Sequence, residues 1–304
     1  MRRAFAEGLV QRAIEDPRVV FLTGDLGFQV FDQFKERFGP RYVNVGVAEA
    51  QMVCAAAGLA MEGWRPIAYS IASFATGRAF EQVRVSVSYP GLPVMLVGAG
   101  GGYTYSQSGV THHAAEDLGL MSLLPGMTVV APGDPGETAA LMHQMLRLPG
   151  PSYLRIGKYG EPTYEAPGEI VLGRARLLQE GERMALLTTG DIAAAAVSAL
   201  GRLRDEKINP LAYQFHTLKP LDTQALAMIA RRVETIVVVE EHLPTGGLGA
   251  SVGAWLAEQE DAPRMYRLGP PDALALGNLR REDLRRRQGT DAEGIYRLCR
   301  ELWK

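Results

Sequence analysis

Residues 41–72 read RYVNVGVAEAQMVCAAAGLAMEGWRPIAYSIA. Its two ends, RYVNVGV (41–47) and RPIAYSIA (65–72), are short runs of β-branched and aromatic residues bounded by Gly and Pro, the composition of strands. Between them EAQMVCAAAGLAM (49–61) is rich in Ala, Met and Leu and reads as a helix. A strand, a helix and a second strand within about thirty residues is the length of a crossover unit, which joins parallel strands. Glu49 is the one charge at the head of this apolar helix. A carboxylate in a first turn complements the helix dipole. The same carboxylate in a semi-apolar pocket is a candidate proton-relay acid, because desolvation moves a carboxyl toward neutrality.

The same alternation extends in both directions. RVVFLTGD, PVMLVGAG, MTVVAP and PSYLRIG read as strands, and QVFDQFKERF, GRAFEQVRVSVS and PGETAALMHQMLR as helices. Around 157–168 the pattern lapses into GKYGEPTYEAPG, the composition of a linker. It resumes with RMALLTTG, INPLAYQFH and ETIVVVEEH as strands and DIAAAAVSALGRL, TQALAMIARR and GASVGAWLAEQ as helices. The expected fold class is therefore α/β: a parallel sheet with helices on both faces over 1–160, a linker at 161–173, and a smaller α/β domain over 174–304.

Composition narrows the function classes. The 304 residues are 47% hydrophobic, enough for two cored domains, and carry a net charge of −2. That balance gives no basic bias toward nucleic acid or an anionic membrane. The most apolar stretch, SYPGLPVMLVGAGGG, is broken by Pro and Gly well short of a span, so no membrane segment is expected. Two cysteines, Cys54 and Cys299, make no disulfide framework and suit a cytoplasmic location. The cluster Arg280, Arg281, Arg285, Arg286 and Arg287 is interleaved with acids and reads as a solvated helix face.

Several residues are candidates for chemistry. His112 and His113 follow the Gly-rich loop AGGGYTYSQSG and precede a helix, which suits a substrate surface or a helix cap; adjacent histidines without a partner one turn away do not suit a metal. Asp25 and Arg155 stand at strand ends, where parallel sheets place ligand contacts. Phe74 and Arg78 stand at the head of another helix. GGLGASVG (246–253) lacks the G-x-G-x-x-G spacing of a dinucleotide site, and its glycines read as allowing close helix–strand packing.

Taken in order, GDLG, NVGVAEAQM, AAAGLAMEGWRPIAYS, FATGRAFEQVR, GVTHHAAEDLGLM, LPGMTVVAPGDPGE, FHTLKPLD and VVVEEHLPTGGLG resemble the C-terminal half of the transketolase and 1-deoxyxylulose-5-phosphate synthase family across nearly the whole chain. The resemblance implies a thiamine diphosphate-binding pyrimidine domain followed by a transketolase C-terminal domain. It implies that Glu49 shares a proton with N1′ of the cofactor's aminopyrimidine and that Phe74 stacks on that ring. Asp25 would approach the thiazolium, Arg78 would touch the cofactor, His112 would meet the reacting carbons, and Arg155 would lie near the substrate phosphate. The sugar end departs from the family: Gln29 replaces a phosphate-binding serine, Gly100 a histidine and Ser108 an acid that reads a sugar hydroxyl.

The family's G-D-G…N motif, which holds the diphosphate through Mg²⁺, is not found in the chain. Gly24–Asp25 and Gly190–Asp191 lack the second Gly, and Asn44 and Asn209 follow at the wrong interval. The resemblance therefore implies the C-terminal subunit of a split enzyme that transfers a two-carbon ketol unit from a ketose to an aldehyde. The Mg²⁺ ligands would come from an N-terminal subunit of about 300 residues in an α2β2 assembly. Alternatives are the β subunit of a 2-oxoacid dehydrogenase-type decarboxylase, a two-carbon loader of a carrier protein, and a non-catalytic scaffold paralogue.

Overall fold

The structure, a computed structural model, describes residues 1–158 and 160–303; Tyr159 of the GKYG stretch and Lys304 lie outside the described residues. Twelve strands are found among them: β1 Val19–Thr23, β2 Tyr42–Asn44, β3 Arg65–Ile71, β4 Met95–Ala99, β5 Thr128–Val130, β6 Ser152–Ile156, β7 Arg176–Gln179, β8 Arg183–Thr188, β9 Leu211–Gln214, β10 Thr217–Lys219, β11 Val233–Val239 and β12 Arg264–Leu268. Seven form a sheet in the order β10-β5-β6-β4-β3-β1-β2 and five a second in the order β12-β11-β8-β9-β7. Every pairing in the first sheet is parallel except β10 on β5, and in the second all are parallel except β7 on β9.

The quoted stretch forms the expected unit. Helix Glu49–Met61 carries the chain from β2 across β1 to β3, with Met52, Val53, Ala56 and Ala60 buried against the sheet. The opposite face is covered by helices Arg2–Glu15 and Pro135–Met145 over an aromatic core of Phe5, Phe21, Phe31, Phe34 and Tyr69. The core on the Glu49–Met61 side continues without a break into the second unit, through Leu118 and Ala131 to Phe215, Leu248 and Val252. Strand β10 strengthens that seam. Residues 217–219 lie in the second half of the sequence, yet they add an antiparallel edge to the first sheet.

One point differs from the sequence reading and another agrees with it. Only part of the basic cluster is a solvated face. On helix Arg281–Gln288, Arg286 is exposed beside Asp283, as is the preceding Arg280, but Arg281 and Arg285 turn inward onto Asp191 and Glu241 at 2.6–3.2 Å. Burial works to raise the Glu241 carboxyl, and Arg281 and Arg285 overcome it, holding it down to about 2; Asp191 is likewise held low. The 246–253 glycines do allow close packing. A β-carbon at Gly247 or Gly249 would press on Glu240, whose carboxylate accepts from Leu248 N at 2.7 Å and Gly249 N at 3.1 Å at the head of helix Leu248–Leu256.

No helix among the described residues is long and apolar enough to cross a membrane.

Candidate functional site

The chain leaves β1 toward β2 on one side, while β3, the other neighbour of β1, sends its connection toward β4 on the opposite side. Such a reversal opens a crevice at the carboxyl ends of adjacent strands, where parallel sheets bind ligands. Three strand ends meet there. Gly24 and Asp25 follow β1, Asn44 closes β2, and Ser70 lies near the end of β3.

Glu49, the first residue of its helix, is 1% exposed and points into this crevice. Ser70 Oγ donates to its Oε1 at 2.9 Å, and Arg78 Nη1 donates to its Oε2 at 2.7 Å. Arg78 ends the π-helical turn Phe74–Arg78, whose wider winding is typical of functional sites. Its guanidinium lies over the Phe74 ring at 4.3 Å, and its side chain is 47% exposed, so one edge of the crevice is open. A planar cation therefore bonds the buried carboxylate and stacks on the aromatic ring at once. A flat, nitrogen-bearing ring makes the same two demands, and the residues present fit an aminopyrimidine in its place.

His112 joins the group from the loop after β4. Its ring meets Phe74 edge-on, with centroids 5.0 Å apart, and Nδ1 lies 2.9 Å from Thr111 Oγ1. Ser73 Oγ reaches the Thr111 carbonyl at 3.4 Å. His113 turns the other way, buried against Tyr103 with Nε2 on the Ser106 carbonyl. Neither histidine caps a helix: the next one, Asp117–Ser122, starts after Glu116.

Asp25 sits at the mouth of the crevice, exposed and bonded to Asn44, whose Nδ2 donates to Asp25 Oδ1 at 2.8 Å and whose Oδ1 accepts from Asp25 N at 3.1 Å. Asp25 and Gln29 both hold positive φ, at 61° and 65°, a conformation non-glycine residues keep mostly where the surroundings impose it. Gln29 and Ser108 are exposed.

Arg155 is placed apart from the Glu49 group. It is buried, with Nε 3.6 Å from Asp117 and Nη2 donating to the Glu241 carbonyl at 3.0 Å. The same Asp117 accepts from Tyr153 OH at 2.6 Å, and burial followed by this carboxylate pushes the Tyr153 phenol well above its ordinary value. The run Gly100–Gly101–Gly102 makes this arrangement possible. A β-carbon at Gly101 or Gly102 would overlap the Arg155 side chain, and one at Gly100, where φ is +74°, would overlap the Tyr105 ring. The sequence reading gave these residues only as part of a Gly-rich loop and missed Tyr105 and Ser70. Three consecutive glycines after a strand do signal that something packs closely on the backbone.

Comparison with known proteins gives the following. Residues 1–159 match the transketolase pyrimidine-binding domain, and residues 173–295 match the transketolase C-terminal domain. A 6-deoxy-6-sulfo-D-fructose transketolase subunit of Clostridium sp. (strain MSTE9) is 34% identical over 99% of this chain and 94% of that protein. An apulose-4-phosphate transketolase subunit of Phocaeicola vulgatus is 31% identical over 100% of this chain and 97% of that protein. Among solved structures, an inactive β4 tetramer of a split-gene transketolase superposes with a TM-score of 0.90 at 32% identity, covering 99% of this chain and 97% of that one.

Proposed function

The chain belongs to the transketolase family, carrying its pyrimidine-binding domain ahead of its C-terminal domain, and on that premise we propose that it is the C-terminal subunit of a split, thiamine diphosphate-dependent transketolase. The enzyme moves a two-carbon ketol unit from a ketose donor to an aldehyde acceptor. The observation that carries this reading is the buried Glu49 carboxylate at the switch of strand direction, held by Ser70 on one oxygen and by a displaceable planar cation over Phe74 on the other. The full-length match to proteins named as transketolase subunits supports the split organisation.

When bound, thiamine diphosphate supplies an acidic carbon that adds to the ketose carbonyl and then stores the electron pair of the broken carbon–carbon bond. This chain's residues bind and steer. Glu49 would hold a proton at N1′ of the aminopyrimidine through Oε2, with Ser70 fixing Oε1. Phe74 would stack on the pyrimidine, and Arg78, whose side chain is 47% exposed, would give up its place over that ring. Asp25, braced by Asn44, would approach the thiazolium. His112, fixed by its edge contact on Phe74, offers an imidazole nitrogen to substrate oxygen near the reacting carbons. The diphosphate and its Mg²⁺ take their ligands from an N-terminal subunit of about 300 residues, the other half of a family chain. Two copies of each subunit form an α2β2 assembly.

The test is reconstitution with the candidate N-terminal subunit. Ketol transfer from a ketose to an aldehyde should need both subunits, thiamine diphosphate and Mg²⁺. Transfer to a lipoyl group in place of an aldehyde, or full transfer by this chain alone, would overturn the assignment.

A further inference from the structure

Strand β11 runs into Glu240, Glu241 and His242, three consecutive titratable side chains that are all buried, and such groups are kept inside only where they find partners. Glu240 is used within its own unit, by the head of helix Leu248–Leu256 and by Arg267 at 2.8 Å. The other two reach across the seam. Glu241 Oε1 accepts from Tyr103 N at 2.7 Å, and His242 Nε2 accepts from Gly119 N at 3.0 Å. Leu243 N adds a bond to the Ala115 carbonyl at 2.8 Å. Between Tyr103 and Ala115 lies the loop that carries His112. Gly102 and Ala114 close its base with two reciprocal backbone bonds of 2.9 Å, so residues 241–243 of the second unit hold both of its ends.

We propose that Glu241 is a positioning residue for ketol transfer: its carboxylate fixes Tyr103, and with it the place where the loop presents His112. The proposal rests on the proposed function and gives the C-terminal domain a part in the reaction through this loop. The Tyr103 ring meets the His113 ring edge-on, with centroids 5.1 Å apart, and His113 Nε2 lies 3.2 Å from the Ser106 carbonyl oxygen, so the anchored residue bears directly on the neighbour of His112. Tyr105, two residues on, borders the His112 ring itself at 6.0 Å. The carboxylate is held in turn. Arg281 and Arg285 bind its two oxygens at 2.6–3.2 Å and are themselves tied to Asp191. The fit is tight on the loop side as well, since a β-carbon at Gly102 would overlap the Glu241 carboxylate. A backbone N–H on a carboxylate makes a short, charge-assisted bond, which suits a fixed anchor. A shift of about one ångström in a group that meets the reacting atoms can cost about 10²-fold in rate.

The experiment separates the acceptor from the charge. Glu241→Ala removes both, Glu241→Gln removes the charge but keeps an amide oxygen for Tyr103 N–H, and Asp191→Asn disturbs the same arginines without touching the loop. Each variant should melt below the parent. In the reconstituted enzyme, kcat should fall roughly 10- to 100-fold in Glu241→Ala, recover most of that loss in Glu241→Gln and stay near the parent in Asp191→Asn, with thiamine diphosphate affinity unchanged throughout. The purified chain gives a reading free of catalysis. There NMR should show faster exchange of the Tyr103 and Ala114 amides and displaced His112 ring signals in Glu241→Ala, with little change at these sites in Asp191→Asn. Should Glu241→Ala fail to fold, Glu241→Ala combined with Arg281→Gln removes one charge of each sign and takes its place, with Arg281→Gln alone as the comparison. Rates that simply follow the melting temperature across the set, or amides and His112 signals that stay at their parent values, would make Glu241 structural and overturn the proposal. A loop released by Glu241→Ala in a chain that transfers no ketol with any partner would sink the proposed function and leave the anchoring of the loop standing.

Discussion

Glu49 concentrates the chemistry of the first unit in two oxygen atoms. Oε1 is committed to Ser70, and Oε2 meets a cation that can leave, so only the second is open to a cofactor. Glu49→Gln keeps the shape and the Ser70 contact but cannot exchange a proton. Turnover of the reconstituted enzyme should fall ~10²- to 10⁴-fold, the contribution of a general acid–base group, with thermal unfolding little changed. A variant turning over at the parent rate would remove the carboxylate from the reaction. The place of Glu49 at the head of an apolar helix was legible in the sequence, and its grouping with Phe74, Arg78 and His112 followed from the family resemblance. Ser70 was not legible, since a serine in a strand carries no signal until the fold brings it to a partner 21 residues away. Arg155 shows the converse limit: its strand end was readable, but its turn beneath Gly101 and Gly102 toward Asp117 depends on loop packing that no local pattern encodes.

At the scale of elements, the central strands and the helices that cover them were legible because they are apolar with clear periods. Three of the four edge strands, β7, β10 and β12, were not, as they are short and mix Arg, Gln, Thr or Lys with apolar residues. Of these, β10 matters most to the seam. His216 precedes it, and its carbonyl accepts from Ala131 N at 2.7 Å, extending the pairing beyond the strand. The His216 imidazole is fully buried; Nδ1 lies 3.0 Å from Thr217 Oγ1, and among the described residues Nε2 has no partner. Burial, and then Arg176, lower its pKa from 6.5 to about 4, while Asp222 acts weakly the other way. The folded state therefore binds this proton less readily than the unfolded chain. Its stability is intact above pH 6.5 and declines as pH falls from there to about 4, by roughly 3 kcal/mol at the foot. Melting temperatures measured across that window should drop, and His216→Gln should flatten the drop. An unchanged slope in the variant would place the acid sensitivity elsewhere. The Asp191–Glu241–Arg281–Arg285 cluster, whose carboxyls are held low, gives way only in the lower window beneath about pH 4.5.

At the scale of the whole molecule, helix Glu49–Met61 is apolar on nearly every side, a pattern expected of a helix covered all round. Here one stripe stays uncovered: Val47 ahead of the helix, then Gln51, Cys54, Gly58 and Met61, with Tyr89 exposed at the end of the neighbouring turn Val83–Ser88. Met61 is 74% exposed and Tyr89 89%. This face starts at Val47, two residues before the buried Glu49 that would hold the cofactor, so a subunit seated on it would arrive beside the pyrimidine with its own diphosphate ligands. The composition of the helix predicts its burial, but which of its faces the sheet leaves bare required the fold. Met61→Glu places a charge where the assembly would bury an apolar chain that contributes about 1.5–3 kcal/mol. It should weaken association with the N-terminal subunit by at least about tenfold and weaken thiamine diphosphate binding with it, while the circular dichroism and melting of the isolated chain stay close to the parent. Sedimentation of the mixed subunits and calorimetry with Mg²⁺–thiamine diphosphate read the two effects together. If assembly is lost but tight cofactor binding persists in the isolated variant, the diphosphate site lies within this chain and the division of ligands between subunits is wrong. If both survive, the partner docks on another face.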